Sequence, residues 1–247
     1  MALDRKIAYI NLTTGDVEIK PIPLEMRKKF IGGRGMDAYL LYNHAPEGCD
    51  PLGPENPLIV SGGLLTATCA SATARTHVMA KSPLTGLLGS CNMGGFFAPE
   101  MAWAGFHHLV ITGRAEKPVY LWIHNGEIEI RDAGRLWGKN STDTQWAIRD
   151  ELDDEEVKSM VIGQAGENLV TYACVMTGIK NAGGRTGLGC VMGAKNLKAV
   201  AVRGTMDIKI AHPVDALEHN KKFIDQITGA KVNQIQGALG TPFIWGA

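Results

Sequence analysis

The chain is predicted to be an α+β protein built on mixed and antiparallel sheet, and three observations predict it. Alternating apolar runs meet at tight turns within 6–20 and 118–132, the pattern of β-hairpins. Strand and helix patterns follow one another without a regular βαβ alternation, which argues against a doubly wound sheet. Residues 89–113 and 184–204 each run glycine loop, short helix, then a strand ending in glycine. That echo predicts a pseudo-duplicated domain with two similar loops on one face.

In chain order, KIAYINL (6–12) alternates, turns at Thr13-Thr14-Gly15-Asp16 and returns as VEIK (17–20). A short helix runs from Pro23 to Ile31, ended by Gly32-Gly33, and GMDAYLLYN (35–43) reads as the next. Four prolines and two glycines make 45–57 a loop. PLIVSG (57–62) and RTHVMAK (75–81) read as strands, the second opening on Arg75. The stretch 89–105 is expected to be a glycine-rich loop running into a short helix, with a strand at 107–113. In 118–132 two alternating runs join at Asn125-Gly126, a pair suited to a type I′ turn. Ser141 is expected to cap a helix over 142–152. Strands follow at 157–163, 171–177 and 197–204, with a helical turn starting near Met192. A last helix from Pro213 to about Thr228 places Val214, Leu217, Ile224 and Ile227 on one side, with Gly229 as stop.

Composition narrows the function classes. Lys plus Arg and Asp plus Glu number 25 each, which argues against a general nucleic-acid or membrane-surface binder. The N-terminus lacks an apolar signal region, and no stretch reaches membrane-spanning length, so no membrane insertion is expected. Five widely spaced cysteines, Cys49, Cys69, Cys91, Cys174 and Cys190, form no CxxC. They suggest neither a disulfide framework nor an iron–sulfur site within this stretch, and they fit a reducing cytoplasm.

Glycine is the anomaly: 30 of 247 residues, against ~7% in ordinary chains. The stretch NAGGRTGLGCVMG (181–193) holds five. Backbone N–H groups freed by glycine form nests for anions, and Arg185 adds a guanidinium fork, with Lys180, Lys195 and Lys198 flanking it. The opposing reading is tight strand packing alone. No GxxxxGK[ST] occurs, and Gly184, Gly187 and Gly189 are spaced GxxGxG, which excludes two common nucleotide fingerprints. The GGRG at 32–35 is explained equally by a helix boundary or a site. A second loop, GSCNMGGFF (89–97), sets glycines beside Asn92, with Arg75 upstream. Two loops and two arginines suit two anionic groups, and a backbone carbonyl near paired phosphates suits magnesium.

The segments ARTHVMAKSPLTG (74–86), NMGGFFAPEMAWAGFHHLVITGRAEKPVYLWI (92–123), IGQAGENLV (162–170) and GGRTGLGCVMGAKNLKAVAVRG (183–204) together resemble the tungsten-containing aldehyde:ferredoxin oxidoreductase family. The likeness runs from about residue 5 to 210. It implies an N-terminal α+β duplication, spanning 1–210, that forms a base for a bis-molybdopterin cofactor carrying tungsten or molybdenum. Residues 211–247 would then begin the following helical domain. Carried over by position, the cofactor contacts are Arg75, Asn92, Gly94, Asn181, Ala182, Gly184 and Arg185. The backbone carbonyls of Asn92 and Ala182 are the implied ligands of a Mg2+ ion bridging the pterin phosphates.

The family more usually has arginine where this chain has Asn181, beside which Lys180 is a possible substitute charge. The resemblance places the 4Fe-4S cysteines, the acid/base residues and the substrate channel in later domains, so this chain reads as an N-terminal piece with no catalytic residue of its own. His77, His107, His108 and His124 read as ordinary core or surface residues. The implied activity is oxidation of aldehydes to carboxylic acids, with electrons passed to ferredoxin or an iron–sulfur subunit, in an often dimeric cytoplasmic enzyme. Two alternatives stand beside it: a family member with another substrate, such as an aromatic acyl-thioester reductase subunit, and a non-catalytic cofactor-binding module.

Overall fold

A computed structural model describes residues 5–245. Its elements are β1 (Lys6–Asn11), β2 (Val17–Pro21), α1 (Leu24–Phe30), α2 (Arg34–His44), β3 (Leu58–Gly62), β4 (Thr76–Lys81), β5 (Leu88–Met93), α3 (Phe97–Trp103) and β6 (His108–Thr112). They continue as β7 (Val119–His124), β8 (Glu127–Asp132), α4 (Ser141–Leu152), β9 (Lys158–Val161), α5 (Gln164–Glu167), β10 (Val175–Thr177), β11 (Asn181–Gly183), α6 (Leu188–Ala194), β12 (Leu197–Arg203), α7 (Pro213–Gly229) and α8 (Lys231–Leu239).

The strands form two six-stranded sheets of the same plan, β2-β1-β6-β3-β4-β5 and β8-β7-β12-β9-β10-β11. Each begins with an antiparallel hairpin, β1–β2 or β7–β8. The first hairpin strand then runs parallel to a late strand, β6 or β12. The remaining pairs are antiparallel in both sheets. The expected duplication is therefore present strand for strand, and the echo between 89–113 and 184–204 falls on β5-α3-β6 and on the α6-β12 that follows β11.

Alternation along the strands explains the layers. One face of each sheet turns to a shared core, with Ile10, Val60, Val78 and Ile111 from the first and Leu121, Ile123, Val200 and Val202 from the second. Phe97 and Met101 of α3 and Leu188, Val191 and Met192 of α6 join that core. The opposite face of the first sheet, through Ile7, Ile59, Met79 and Val110, is covered by Met36, Leu40 and Leu41 of α2. On the second sheet Tyr120, Val161, Ala199 and Ala201 pack against Ile148 of α4. A sheet buried on both faces carries the near-continuous apolar runs seen in β3, β6 and β12.

Several local expectations change. Residues 88–93 are a strand instead of a loop, because β4 supplies a ladder from Thr76↔Met93 to Lys81↔Leu88. Asn181–Gly183 is likewise a strand, paired with β10, and β10 itself covers only Val175–Thr177 of the expected 171–177. The cap of α4 is Asn140, whose side chain accepts from the Asp143 N–H, and not Ser141. Helix α6 starts at Leu188, four residues before the expected Met192. Arg75 lies one residue outside β4. The Asn125-Gly126 turn is as expected, with φ of 42° and 93°. Helix α7 includes Gly229, and neither it nor α8 buries a residue. No helix among the described residues is long and apolar enough to cross a membrane.

Candidate cofactor site

The two glycine loops meet because β5 and β11 are the terminal strands of their sheets. An edge strand leaves a row of backbone N–H and C=O groups without ladder partners. The two edges are pinned side by side by polar contacts: Thr177 Oγ1 donates to the Gly94 carbonyl at 2.9 Å, and Ser82 Oγ donates to the Thr186 carbonyl at 2.8 Å. A Cβ on Gly183 would lie 2.8 Å from Cys91 Sγ, so the strands approach as closely as they do only with glycine there.

Between them opens a cavity of about 320 Å³. Ser90, Cys91 and Asn92 line it from β5, Ala182 from β11, Gly184 and Arg185 from the loop that follows, and Arg34 from the start of α2. No carboxylate lines it, and neither guanidinium makes an ion pair or side-chain hydrogen bond among the described residues. Two uncompensated arginines over free backbone edges fit an anion, and phosphate oxygens suit the guanidinium fork. Cys91 contributes a neutral thiol, since burial pushes it up to about 12. A Cβ on Gly184 would meet no protein atom within 4 Å, so the space above this backbone is left for something else.

Four of the seven residues singled out in the sequence thus share one cavity: Asn92, Ala182, Gly184 and Arg185. The duplication relates them. Met93 pairs with the first residue of β4 and Gly183 with the first of β10. Asn92 and Ala182 therefore occupy the same place in the two copies, as do Gly94 and Gly184. Extending the Thr76↔Met93 register sets exposed Arg75 opposite Gly94, outside the cavity lining. Asn181 also stays outside it. Its Oδ1 lies 2.9 Å from where a Gly94 Cβ would be, so its amide packs against the Gly94-Gly95 turn.

The flanking lysines do not serve the site. Lys195 is buried and donates to the carbonyls of Pro54 and Gly113, both at 3.1 Å. Burial, reinforced by Arg114, brings its ammonium down to about 8. Lys198 pairs with Glu167 and donates to the Lys139 carbonyl. Lys180 is exposed and outside the lining. The positive charge comes instead from Arg34, which sequence reasoning did not single out. Its signal was the GGRG motif, readable equally as a helix boundary.

His77, His107, His108 and His124 all lie outside this cavity. His124 stacks on Trp122 with ring centroids 5.9 Å apart. His77, His107 and His108 are buried. His77 Nδ1 lies 2.5 Å from Asp37 Oδ2, which also accepts from Ser61 Oγ at 2.5 Å. Burial, then nearby Arg5, pushes His107 down to about 2. His107 is thus neutral when folded, whereas in the unfolded chain it takes up a proton near 6.5. Its contribution to stability is complete above about pH 6.5 and is lost progressively as pH falls toward 2. Denaturant unfolding of His107→Leu should show a pH slope shallower by close to one proton between about pH 3 and 6, relative to wild type.

Residues 7–204 match the family model for the aldehyde ferredoxin oxidoreductase N-terminal domain. The chain belongs to the aldehyde ferredoxin oxidoreductase family. It is 47% identical over 202 residues to the tungsten-containing aldehyde ferredoxin oxidoreductase of Pyrococcus furiosus, covering 82% of this chain and 33% of that one. A second relative is the aliphatic sulfonate oxidoreductase, WOR-like subunit, of the same organism, 36% identical over 83% of this chain and 35% of the relative. Among solved structures, the active site complex BamBC of benzoyl coenzyme A reductase with 1,5-dienoyl-CoA matches with a TM-score of 0.89. It is 38% identical, with 92% of this chain and 35% of that chain covered. The chain therefore spans about a third of the length of these family members. Within the family the matched region is its N-terminal domain, and the cavity between β5 and β11 lies inside it.

Proposed function

We propose that this domain binds and orients a bis-molybdopterin cofactor with tungsten or molybdenum in an oxidoreductase that converts aldehydes to carboxylic acids. The carrying observation is the cavity between the two edge strands, lined by no acid and by two arginines unpaired among the described residues, with Asn92 and Ala182 at corresponding positions of the two halves. Asn92, Ala182, Gly184 and Arg185 hold the phosphate end of the cofactor there. Arg75, Gly94 and Asn181 border it. In this reading the carbonyls of Asn92 and Ala182 would supply hard oxygen ligands to a Mg2+ ion. The bound cofactor supplies the two-electron chemistry; this chain supplies backbone approach, charge and position.

In this reading the 4Fe-4S cluster and the acid/base residues belong to the rest of the enzyme, and electrons leave through ferredoxin or an iron–sulfur subunit. Residues 1–210 form the cofactor base, and 211–247 begin the next domain; that α7 and α8 bury no residue supports this division. We place the enzyme in the cytoplasm, as a homodimer. A second reading, reduction of an aromatic acyl thioester, draws support from the TM-score of 0.89 to the benzoyl coenzyme A reductase complex.

Metal and pterin analysis of the protein purified from its native source tests the proposal. Tungsten or molybdenum near one per chain, with a fluorescent pterin after oxidation, is expected. Neither, in protein from tungsten-supplied cells, sinks it. Arg185→Ala removes charge-assisted contacts of ~1.5–3 kcal/mol and should lower the metal retained after gel filtration; unchanged retention would make the loop merely structural.

A further inference from the structure

Arg34 has no task in the fold. It is exposed at the first position of α2, and its guanidinium bonds to nothing among the described residues. Yet the chain is arranged to hold it at the cavity. Gly33 before it takes φ 54° and ψ −138°, a left-side conformation that glycine tolerates and other residues do not. Gly32 bridges to Gly63 and fixes the turn against the end of β3. One turn into the helix, Asp37 is fully buried, and its carboxylate is held by Ser61 of β3 and His77 of β4. His77 in turn sits opposite Asn92, the cavity residue of β5. A short chain of contacts thus runs from the cavity edge through β4 and Asp37 to the helix turn that carries Arg34.

We propose that Arg34 is a phosphate-binding residue of this cavity, sharing a phosphate ester with Arg185 from the other copy of the duplication, and that Asp37 is the positioning residue that fixes it there. The proposal rests on the cofactor reading above and adds a ligand-contacting residue to it. Each guanidinium offers five N–H donors in a rigid fork, and the pair faces a cavity without an acid to satisfy either. Phosphate oxygens are acceptors of matching geometry. Arg75 and Asn181, outside the lining, leave that place to Arg34.

The test uses the full-length protein, purified in the host that loads it, as wild type, Arg34→Gln, Arg34→Lys, Arg185→Gln and Arg131→Gln. Arg131 on β8 pairs with Glu129 and serves as a distant control. Metal and pterin per chain are followed through dialysis, and circular dichroism checks the fold. Arg34→Gln should lose cofactor ~10–100-fold faster than wild type, as Arg185→Gln does. Arg34→Lys should fall between them, since an ammonium keeps the charge but not the fork. Normal retention in Arg34→Gln, with loss in Arg185→Gln, overturns the proposal and leaves the cofactor reading standing. Wild-type protein without metal or pterin overturns the cofactor reading instead. Titration of cofactor-free protein with inorganic pyrophosphate separates the two further. Binding weakened by Arg34→Gln supports an anion site at Arg34 whatever cofactor is present; equal binding in both overturns it. For Asp37, the double variant Asp37→Asn/Arg34→Gln should lose cofactor no faster than Arg34→Gln alone; additive loss overturns the positioning role.

Discussion

Glu167→Ala is expected to cost about 3–5 kcal/mol of stability, read as a drop in the denaturant midpoint. Lys198 is fully buried, and Glu167 nearly so, at 0% and 5% side-chain exposure. Glu167 Oε1 pairs with the Lys198 ammonium, and both carboxylate oxygens accept from the Gly138 N–H, at 3.0 and 2.9 Å. The ammonium has one other acceptor, the Lys139 carbonyl at 2.8 Å. Removing the carboxylate therefore strands a buried cation and an unmet backbone donor. Burial already draws Lys198 below its ordinary range, with Glu167 opposing that shift. Without Glu167 the lysine must shed its proton or drag water in. Glu167→Gln keeps an acceptor and should cost less. Glu167→Gln/Lys198→Met should recover most of the loss, because replacing both members of a buried pair removes the stranded charge. A double variant as unstable as Glu167→Ala would show that the loss comes from packing. The IGQAGENLV motif acquires a physical role here: it supplies the counter-charge beneath β12, and the chain after it leads to the glycine loop at 181–193.

What could be read from the sequence was what local chemistry determines. The hairpins β1–β2 and β7–β8 carry their turns between their own strands, so alternation and Asn125-Gly126 sufficed. The duplication showed as an echo because loop, helix and strand repeat contiguously in both copies. Strands β5 and β11 were hidden, since GSCNM and NAG lack the β-branched residues that mark a strand. Their extended state is imposed by ladders to β4 and β10. Helix α6 was seen too late in the chain because all seven of its residues are buried, which erases the polar face that periodicity needs. Of the seven candidate residues, the four that line the cavity all belong to the two glycine loops, whereas Arg75, Gly94 and Asn181 stay outside its lining. Arg34 was not singled out, because only the packing of α2 on the first sheet brings a residue so distant in sequence to Asn92. Lys195 and Lys198 erred in the opposite sense. Proximity in sequence suggested a positive site, whereas both amines point into the fold and are satisfied there.

Gly187→Ala and Gly184→Ala should separate the two reasons for glycine in the loop at 181–193. Gly187 caps α6 with φ 71° and ψ 30°, and a Cβ on it would stand 1.8 Å from the Thr171 carbonyl oxygen. The left-handed conformation costs alanine ~1–2 kcal/mol, and displacing packed backbone costs a further ~1–3 kcal/mol. Against this, alanine restricts the unfolded chain and returns only ~0.4–1 kcal/mol. The clash wins, and Gly187→Ala should lose about 2–4 kcal/mol net, visible as a lowered midpoint in cofactor-free protein. The displaced cap also moves the Thr186 carbonyl from Ser82, so cofactor retention should fall with it. Gly184 differs in every respect that matters to the fold. It lines the cavity, needs no positive φ and has open space where a Cβ would go. Gly184→Ala should therefore leave the midpoint within about 0.5 kcal/mol of wild type while lowering the metal and pterin retained, because the added methyl occupies space the ligand needs. Equal retention in Gly184→Ala and wild type would mean that nothing approaches this backbone closely, and the loop would then be glycine-rich for packing alone.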